Sequence, residues 1–196
     1  MNLGKTKLML KLLAVSLTVS LVGCTMDKEV GQMRSGIDTF TYVQWNSEYA
    51  VTVKHVKKLN TTVYVSNDFN LQFFKHSSLK VPTWNHFITN DPAIVSGYAD
   101  GKYRLLKGND MGVTLQQGQY PTPAYRAVDV TIVPGMSGGP VHNVDGEVIG
   151  MVVEPLLEQL SYGDKNYNVS IYLPYDLINK EWKKYETINA IKKSVD

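Results

Sequence analysis

The sequence predicts an all-β protein, a sandwich or barrel of short strands with one helix at the C-terminus. Short apolar and β-branched runs recur along the chain, separated by Gly, Asn, Asp and Pro. One of them, "GEVIGMVV", opens on the turn signal Asp145-Gly146. Only the last part of the chain, "PYDLINKEWKKYETINAIKK", has helical spacing, with Ile178, Trp182, Tyr185 and Ile191 near one face.

In chain order, "FTYVQW" (40–45) alternates apolar and polar residues, as a half-buried strand does. "YAVTVKHV" (49–56) is apolar and β-branched, and "TTVYVS" (61–66) alternates again. "DFNLQFF" (68–74), "AIVSGY" (93–98), "KYRLL" (102–106) and "GVTLQ" (112–116) follow, then "YRAVDVTIV" (125–133), "GEVIGMVV" (146–153) and "NVSIYLP" (168–174). Pro174 sits just before the helix, where its fixed φ is tolerated. The apolar helix face is expected to pack on the β-structure. The cluster of Lys180, Lys183, Lys184, Lys192 and Lys193 also admits a basic amphipathic membrane helix.

The N-terminus reads as an export signal. Lys5, Lys7 and Lys11 precede an uncharged apolar run, "LLAVSLTVSLV" (12–22), which is short for a membrane span but right for a secretory signal. The run ends at Leu21-Val22-Gly23-Cys24, which resembles the lipobox of bacterial lipoproteins. That resemblance implies a signal peptide over 1–23, cleavage before Cys24, and acylation (palmitate among the chains) of Cys24. An ordinary thiol is the alternative. Cys24 is the only cysteine, so an exported chain gains no intramolecular disulfide from it. Thr25 at the next position leans toward the outer membrane if the host is Gram-negative. Residues 24–38 are polar, with Gly31, Ser35 and Gly36, and are expected to form a tether. The chain has 196 residues and a net charge of +2, with no basic patch of the kind nucleic acid requires.

The chemistry concentrates in Gly135-Met136-Ser137-Gly138-Gly139-Pro140, where glycines open a strand-like segment. Strands disfavour glycine, so another demand must place them there. A serine hydroxyl attacking a carbonyl needs N–H donors aimed at the oxygen that becomes negative, and a tightly curled backbone supplies them. The hexapeptide resembles the G-x-S-G-G-P motif of trypsin-like serine proteases. "AVDVTIVPGMSGGPVHNVDGEVIGMVV", "NDPAIVSGYADGKYRLLKG" (90–108) and "VSIYLPYDLIN" (169–179) resemble HtrA-like members found in bacterial envelopes. The resemblance implies two antiparallel β-barrels packed face to face, the first abbreviated, over residues 39–185, with the boundary near 85–92. Residues 186–196 are then the helix end and tail.

By the same resemblance Ser137 is the nucleophile, and the Gly135 and Ser137 amides form the oxyanion hole. His55, in Thr52-Val53-Lys54-His55, is the base, and Asp68, in Asp68-Phe69-Asn70-Leu71, is the orienting carboxylate. Asp91 and Asp100 are fallbacks, and Asp129 is expected to be structural. Only 13 positions separate His55 from Asp68, which suggests a missing hairpin. Met136 replaces the acidic residue that zymogen-type relatives pair with a new N-terminus, so activation by such a cut is not expected, and gating falls to loops such as 156–167. The substrate pocket is expected near Thr131, Val153, Glu154 and Asn168. Without an acidic residue at Thr131, a Lys or Arg preference is not favoured.

The expected function is therefore a lipid-anchored serine endopeptidase acting on a protein or peptide, exported to a bacterial membrane, with no metal or other cofactor. The alternatives are a catalytically impaired protease-like fold that binds a protein partner in the envelope, or, with little beyond the strand pattern, a small-molecule carrier.

Overall fold

The computed structural model describes residues 29–35, 38–56, 59–115, 125–156 and 159–195; the expected signal and Cys24 lie outside them. Five strands come first: β1 (Val30–Ser35), β2 (Asp38–Gln44), β3 (Tyr49–Thr52), β4 (Thr62–Val65) and β5 (Gln72–Lys75). They form one antiparallel sheet in the order β1-β2-β3-β5-β4. Then come β6 (Pro92–Ala99), β7 (Lys102–Leu115), β8 (Tyr125–Val128), β9 (Pro140–His142), β10 (Val148–Pro155) and β13 (Ser170–Pro174), which close into a barrel in the order β10-β13-β8-β7-β6-β9. Between them β11 (Leu160–Tyr162) and β12 (Lys165–Tyr167) pair as a separate ribbon, and helix α1 (Tyr175–Val195) ends the described chain.

Several expectations change. The tether expected over 24–38 contains a strand. β1 pairs with β2 over its whole length, from Val30 opposite Val43 to Ser35 opposite Asp38, and Val30 is buried. The first lobe is an open five-stranded sheet rather than a closed barrel among the described residues. The expected strand at 68–74 starts only at Gln72. Before it, the Ser66 hydroxyl accepts from the Asp68 and Phe69 amides and folds 66–69 into a side-chain-stabilised turn. The segments expected at 102–106 and 112–116 join, as far as Leu115, into one strand, β7, interrupted by a bulge between Asp110 and Thr114; residue 116 lies outside the described residues. β8 stops at Val128, so the residues up to Gly139 are free to form the loop that carries the serine.

One apolar core joins the lobes. Val43, Val51, Val53, Leu71 and Phe73 of the first half pack with Val148, Met151, Val153, Ile171 and Leu173 of the barrel, and Ile178 and Trp182 of α1 complete the cluster. A second core fills the barrel with Val95, Val128, Ile132, Val141, Ile149, Val152 and Tyr172. Burial of apolar surface at about 25 cal/mol per Å² is the main force holding both. The barrel also buries a charged group. Arg126 pairs with both oxygens of Asp110 and lies 3.8 Å above the Phe87 ring, while the Tyr172 hydroxyl donates to Asp110 Oδ2 at 2.5 Å. With its partners in place this pair avoids an uncompensated buried charge.

Candidate active site

The serine loop is two successive turns wedged between the lobes. The Met136 amide donates to Val133 O at 3.1 Å, and the Gly139 amide donates to Met136 O at 3.0 Å. Met136 is fully buried in the barrel core, so an apolar anchor fixes the residue before Ser137. Gly135 has φ +97° and Gly138 φ +89°, conformations that L side chains rarely adopt. A Cβ on Gly138 would lie 2.1 Å from Thr41 O and 2.2 Å from Thr52 Oγ1, so the first sheet touches the loop at its backbone.

Thr41 of β2 holds that contact. Its amide donates to Ser137 O at 3.2 Å, its hydroxyl donates to Gly135 O at 2.7 Å, and the same hydroxyl accepts from the Tyr98 amide at 2.9 Å. On the other side the Gly138 amide donates to Val152 O at 2.9 Å, and the Val152 amide donates to Gly139 O at 2.8 Å. Every turn of the loop is thus tied down. The Gly135 and Ser137 amides differ: neither donates to an acceptor among the described residues.

His55 follows β3 by three residues and stays exposed to solvent. The Thr52 hydroxyl donates to Thr41 O at 2.8 Å, so the strand leading to His55 and the loop carrying Ser137 share Thr41 as a scaffold. Ser137 and His55 are not hydrogen-bonded to each other; such bonds are often long before substrate arrives. Partial enclosure of the imidazole lowers its pKa, and the negative charge of Glu154 opposes that shift.

Asp68 does not occupy the orienting position. Its exposed carboxylate pairs with Lys184 of α1, which holds it below the usual carboxylate range. The partner of His55 is Asn70, with Nδ2 2.8 Å from Nδ1 of the ring. Asn70 is buried. Its Oδ1 accepts from the main-chain amides of Lys54 at 3.0 Å and His55 at 3.1 Å, and its own main-chain N–H donates to the Tyr125 hydroxyl at 2.8 Å. The turn at 66–69 turns Asp68 outward and sets Asn70 beneath the histidine. The fallbacks are elsewhere: Asp91 accepts through its carbonyl from the Asp110 amide, and Asp100 lies at the β6–β7 turn. Asp129 is structural, its carboxylate bonded to the Asn109 side chain and amide.

The expected pocket is partly reassigned. Val153 is fully buried in the shared core, so its side chain cannot line a pocket. Thr131 and Asn168 are exposed, with Asn168 Oδ1 accepting from Gln159 Nε2 at 3.2 Å, and Glu154 is half-buried on β10. Thr41 and Asn70 went unassigned in the sequence, and Met136 was read only as the replacement for an acidic residue, not as the buried anchor of the loop. For Asn70 one signal was present: it, not Asp68, lies just ahead of the apolar run that becomes β5. Among the described residues no group of His, Cys, Asp and Glu could hold a metal ion.

Comparison with known proteins agrees with this architecture. The Rv3671c protease from M. tuberculosis in its active form superposes with a TM-score of 0.68 at 16% identity, covering 87% of this chain and 86% of that one. The HtrA-type protease AlgW with a tripeptide gives 0.61 at 18% identity, over 83% of this chain and 60% of that one. The serine endoprotease from Yersinia pestis gives 0.62 at 19%, over 84% and 65%. No curated protein matches by sequence. The family described as "Trypsin-like peptidase domain" matches residues 46–151, more than half of the chain. With a closed barrel, a second sheet and a glycine loop pinned between them, the chain belongs to the trypsin-like peptidase domain family.

Proposed function

We propose that the protein is a serine endopeptidase in which Ser137 attacks the peptide carbonyl and His55 moves the proton. The observation that carries this is the serine loop, held on every side by Thr41, Val152 and Met136 yet leaving the Gly135 and Ser137 amides without an acceptor among the described residues. A buried or constrained N–H normally finds a partner, so two unused donors flanking a serine are available for an oxyanion. In this scheme Ser137 Oγ bonds to the carbonyl carbon as its proton passes to His55 Nε2. The protonated ring then gives that proton to the departing amine, and water repeats the sequence on the acyl-enzyme. A peptide substrate is in keeping with the tripeptide bound by the neighbour AlgW. Thr131, Glu154 and Asn168 are proposed to border the subsite for the residue before the cut. The test is cleavage of an unfolded protein by the exported domain. Wild type should cut, and Ser137→Ala should lose about 10²-fold or more of that activity, since triad losses do not add.

The cellular setting we propose is attachment to a bacterial membrane through acylated Cys24, with the outer membrane favoured in a Gram-negative host. Its support is the lipobox-like Leu21-Val22-Gly23-Cys24 after an apolar run. Labelled palmitate should enter the wild type and not Cys24→Ser.

One observation favours a second function, an impaired protease fold that binds a protein partner. Asn70 stands where a triad of this kind uses a carboxylate. A folded wild type unable to cleave any peptide would favour it.

A further inference from the structure

The amide of Asn70 cannot be turned around at no cost. The main-chain N–H groups of Lys54 and His55 only donate, so the Asn70 atom facing both of them must be the carbonyl oxygen. The atom facing His55 Nδ1 at 2.8 Å is therefore the NH₂ nitrogen, which also only donates. Nδ1 must accept, and a neutral imidazole that accepts at Nδ1 carries its proton on Nε2.

We infer that Asn70 is the positioning residue for His55 and holds it in the Nε2–H tautomer, so that the resting site is restrained from acyl transfer. This rests on Ser137 and His55 acting as proposed above. A ring with hydrogen on Nε2 has no lone pair there to receive the Ser137 proton. The working tautomer needs hydrogen on Nδ1, which would face an N–H of Asn70. Rotating the amide relieves that conflict only by setting the NH₂ group against the two main-chain N–H donors. Its burial, with its main-chain N–H held by the Tyr125 hydroxyl, leaves Asn70 little room to move aside. Protonation of the ring meets the same obstacle, because an imidazolium donates from both nitrogens. The chain thus carries by nature the carboxylate-to-amide exchange that lowers kcat about 10⁴-fold in chymotrypsin-type enzymes. The site is built for slow turnover, or for a substrate that displaces the ring.

Asn70→Asp should remove the restraint. One carboxylate oxygen keeps the Lys54 and His55 amides, and the other accepts from Nδ1–H. Two measurements on the exported domain separate tautomer from consequence. In ¹⁵N-labelled protein above the His55 pKa, wild type should show a pyridine-type Nδ1 and a pyrrole-type Nε2, and Asn70→Asp the reverse. The rate of Ser137 labelling by a fluorophosphonate should rise about 10²- to 10⁴-fold in Asn70→Asp, following the known cost of the opposite exchange. A pyrrole-type Nδ1 in wild type overturns the proposal. So does Ser137 reacting in wild type with no acceleration in Asn70→Asp. If Ser137 reacts in neither protein, the peptidase function fails, and with it the inferred restraint, while the resonance result alone still decides the tautomer.

Discussion

At the scale of single residues, the difference between Asp68 and Asn70 decides the site. They are two positions apart, both polar, both before the strand β5, and a pattern that seeks a carboxylate selects Asp68. What the pattern cannot contain is the turn formed by Ser66 Oγ with the amides of 68 and 69, which sends one side chain to Lys184 and the other under His55. Ser137 and His55 stand out as candidates in the sequence because their neighbours are constrained by chemistry: glycines around the one, a β-branched strand before the other. Thr41 was not legible, since its role depends on a loop 94 positions away. It follows that Asp68→Asn should change kcat/KM by less than about threefold, as surface substitutions away from the chemistry do, and should remove only an exposed ion pair worth little. A loss near 10⁴-fold in a steady-state assay would restore Asp68 to the triad.

At the scale of elements, the serine loop and the hairpin after it each depend on a few polar contacts. Thr41→Val keeps the volume of the side chain and removes the hydroxyl that bridges Gly135 O and the Tyr98 amide. Leaving those groups unpaired should cost about 1–3 kcal/mol. It should also lower kcat more than it raises KM, because the loop bearing the oxyanion donors loosens. Chemical denaturation and steady-state kinetics measure the two effects. In the β9–β10 hairpin, His142 is fully buried, with Nδ1 donating to Gly146 O at 3.3 Å and Nε2 within 3.1 Å of the Ser96 hydroxyl. Burial pulls its pKa from 6.5 down to about 4. The unfolded chain therefore takes up the proton first as pH falls. The stability this group supplies is complete above about 6.5 and drains away toward 4, by about 3 kcal/mol. Asp110, held low by Arg126 and Tyr172 despite its burial, gives up its share only below its ordinary 3.8, so the two windows separate. Denaturant unfolding between pH 7 and 4, with His142 followed by resonance, tests this; a ring that titrates near 6.5 in the folded protein would refute it. The Asp-Gly turn was legible in the sequence, whereas a histidine held neutral inside it was not, because a lone His gives no sign of its burial.

At the scale of the whole molecule, the site exists because two lobes share one core. The barrel and the C-terminal helix were legible from strand spacing and from the face formed by Ile178, Trp182 and Tyr185, but Ile191, read onto the same face, is exposed near the helix end. The open first sheet was only partly so: the short His55-to-β5 connection implied a missing hairpin, but the strand β1 lies in a polar stretch without an apolar alternation to announce it. α1 closes this sheet. Trp182 lies within 6.0 Å (ring centroids) of Trp45, Tyr49, Phe73 and Tyr185, and the buried Glu181 accepts from Tyr64 at 2.8 Å and pairs with Lys184. Trp182→Ala should cost about 3–5 kcal/mol of unfolding free energy in urea. A loss under about 1 kcal/mol would mean that the helix is not part of the folded core. The central claim is that this shared core presents a reactive serine whose reaction Asn70 slows, and the most direct measurement is mass-spectrometric mapping of the folded domain after exposure to a fluorophosphonate. Covalent modification confined to Ser137, slow but complete, abolished in Ser137→Ala and accelerated in Asn70→Asp, is the predicted result; a folded wild type and Asn70→Asp protein that both remain unmodified at Ser137 would contradict it.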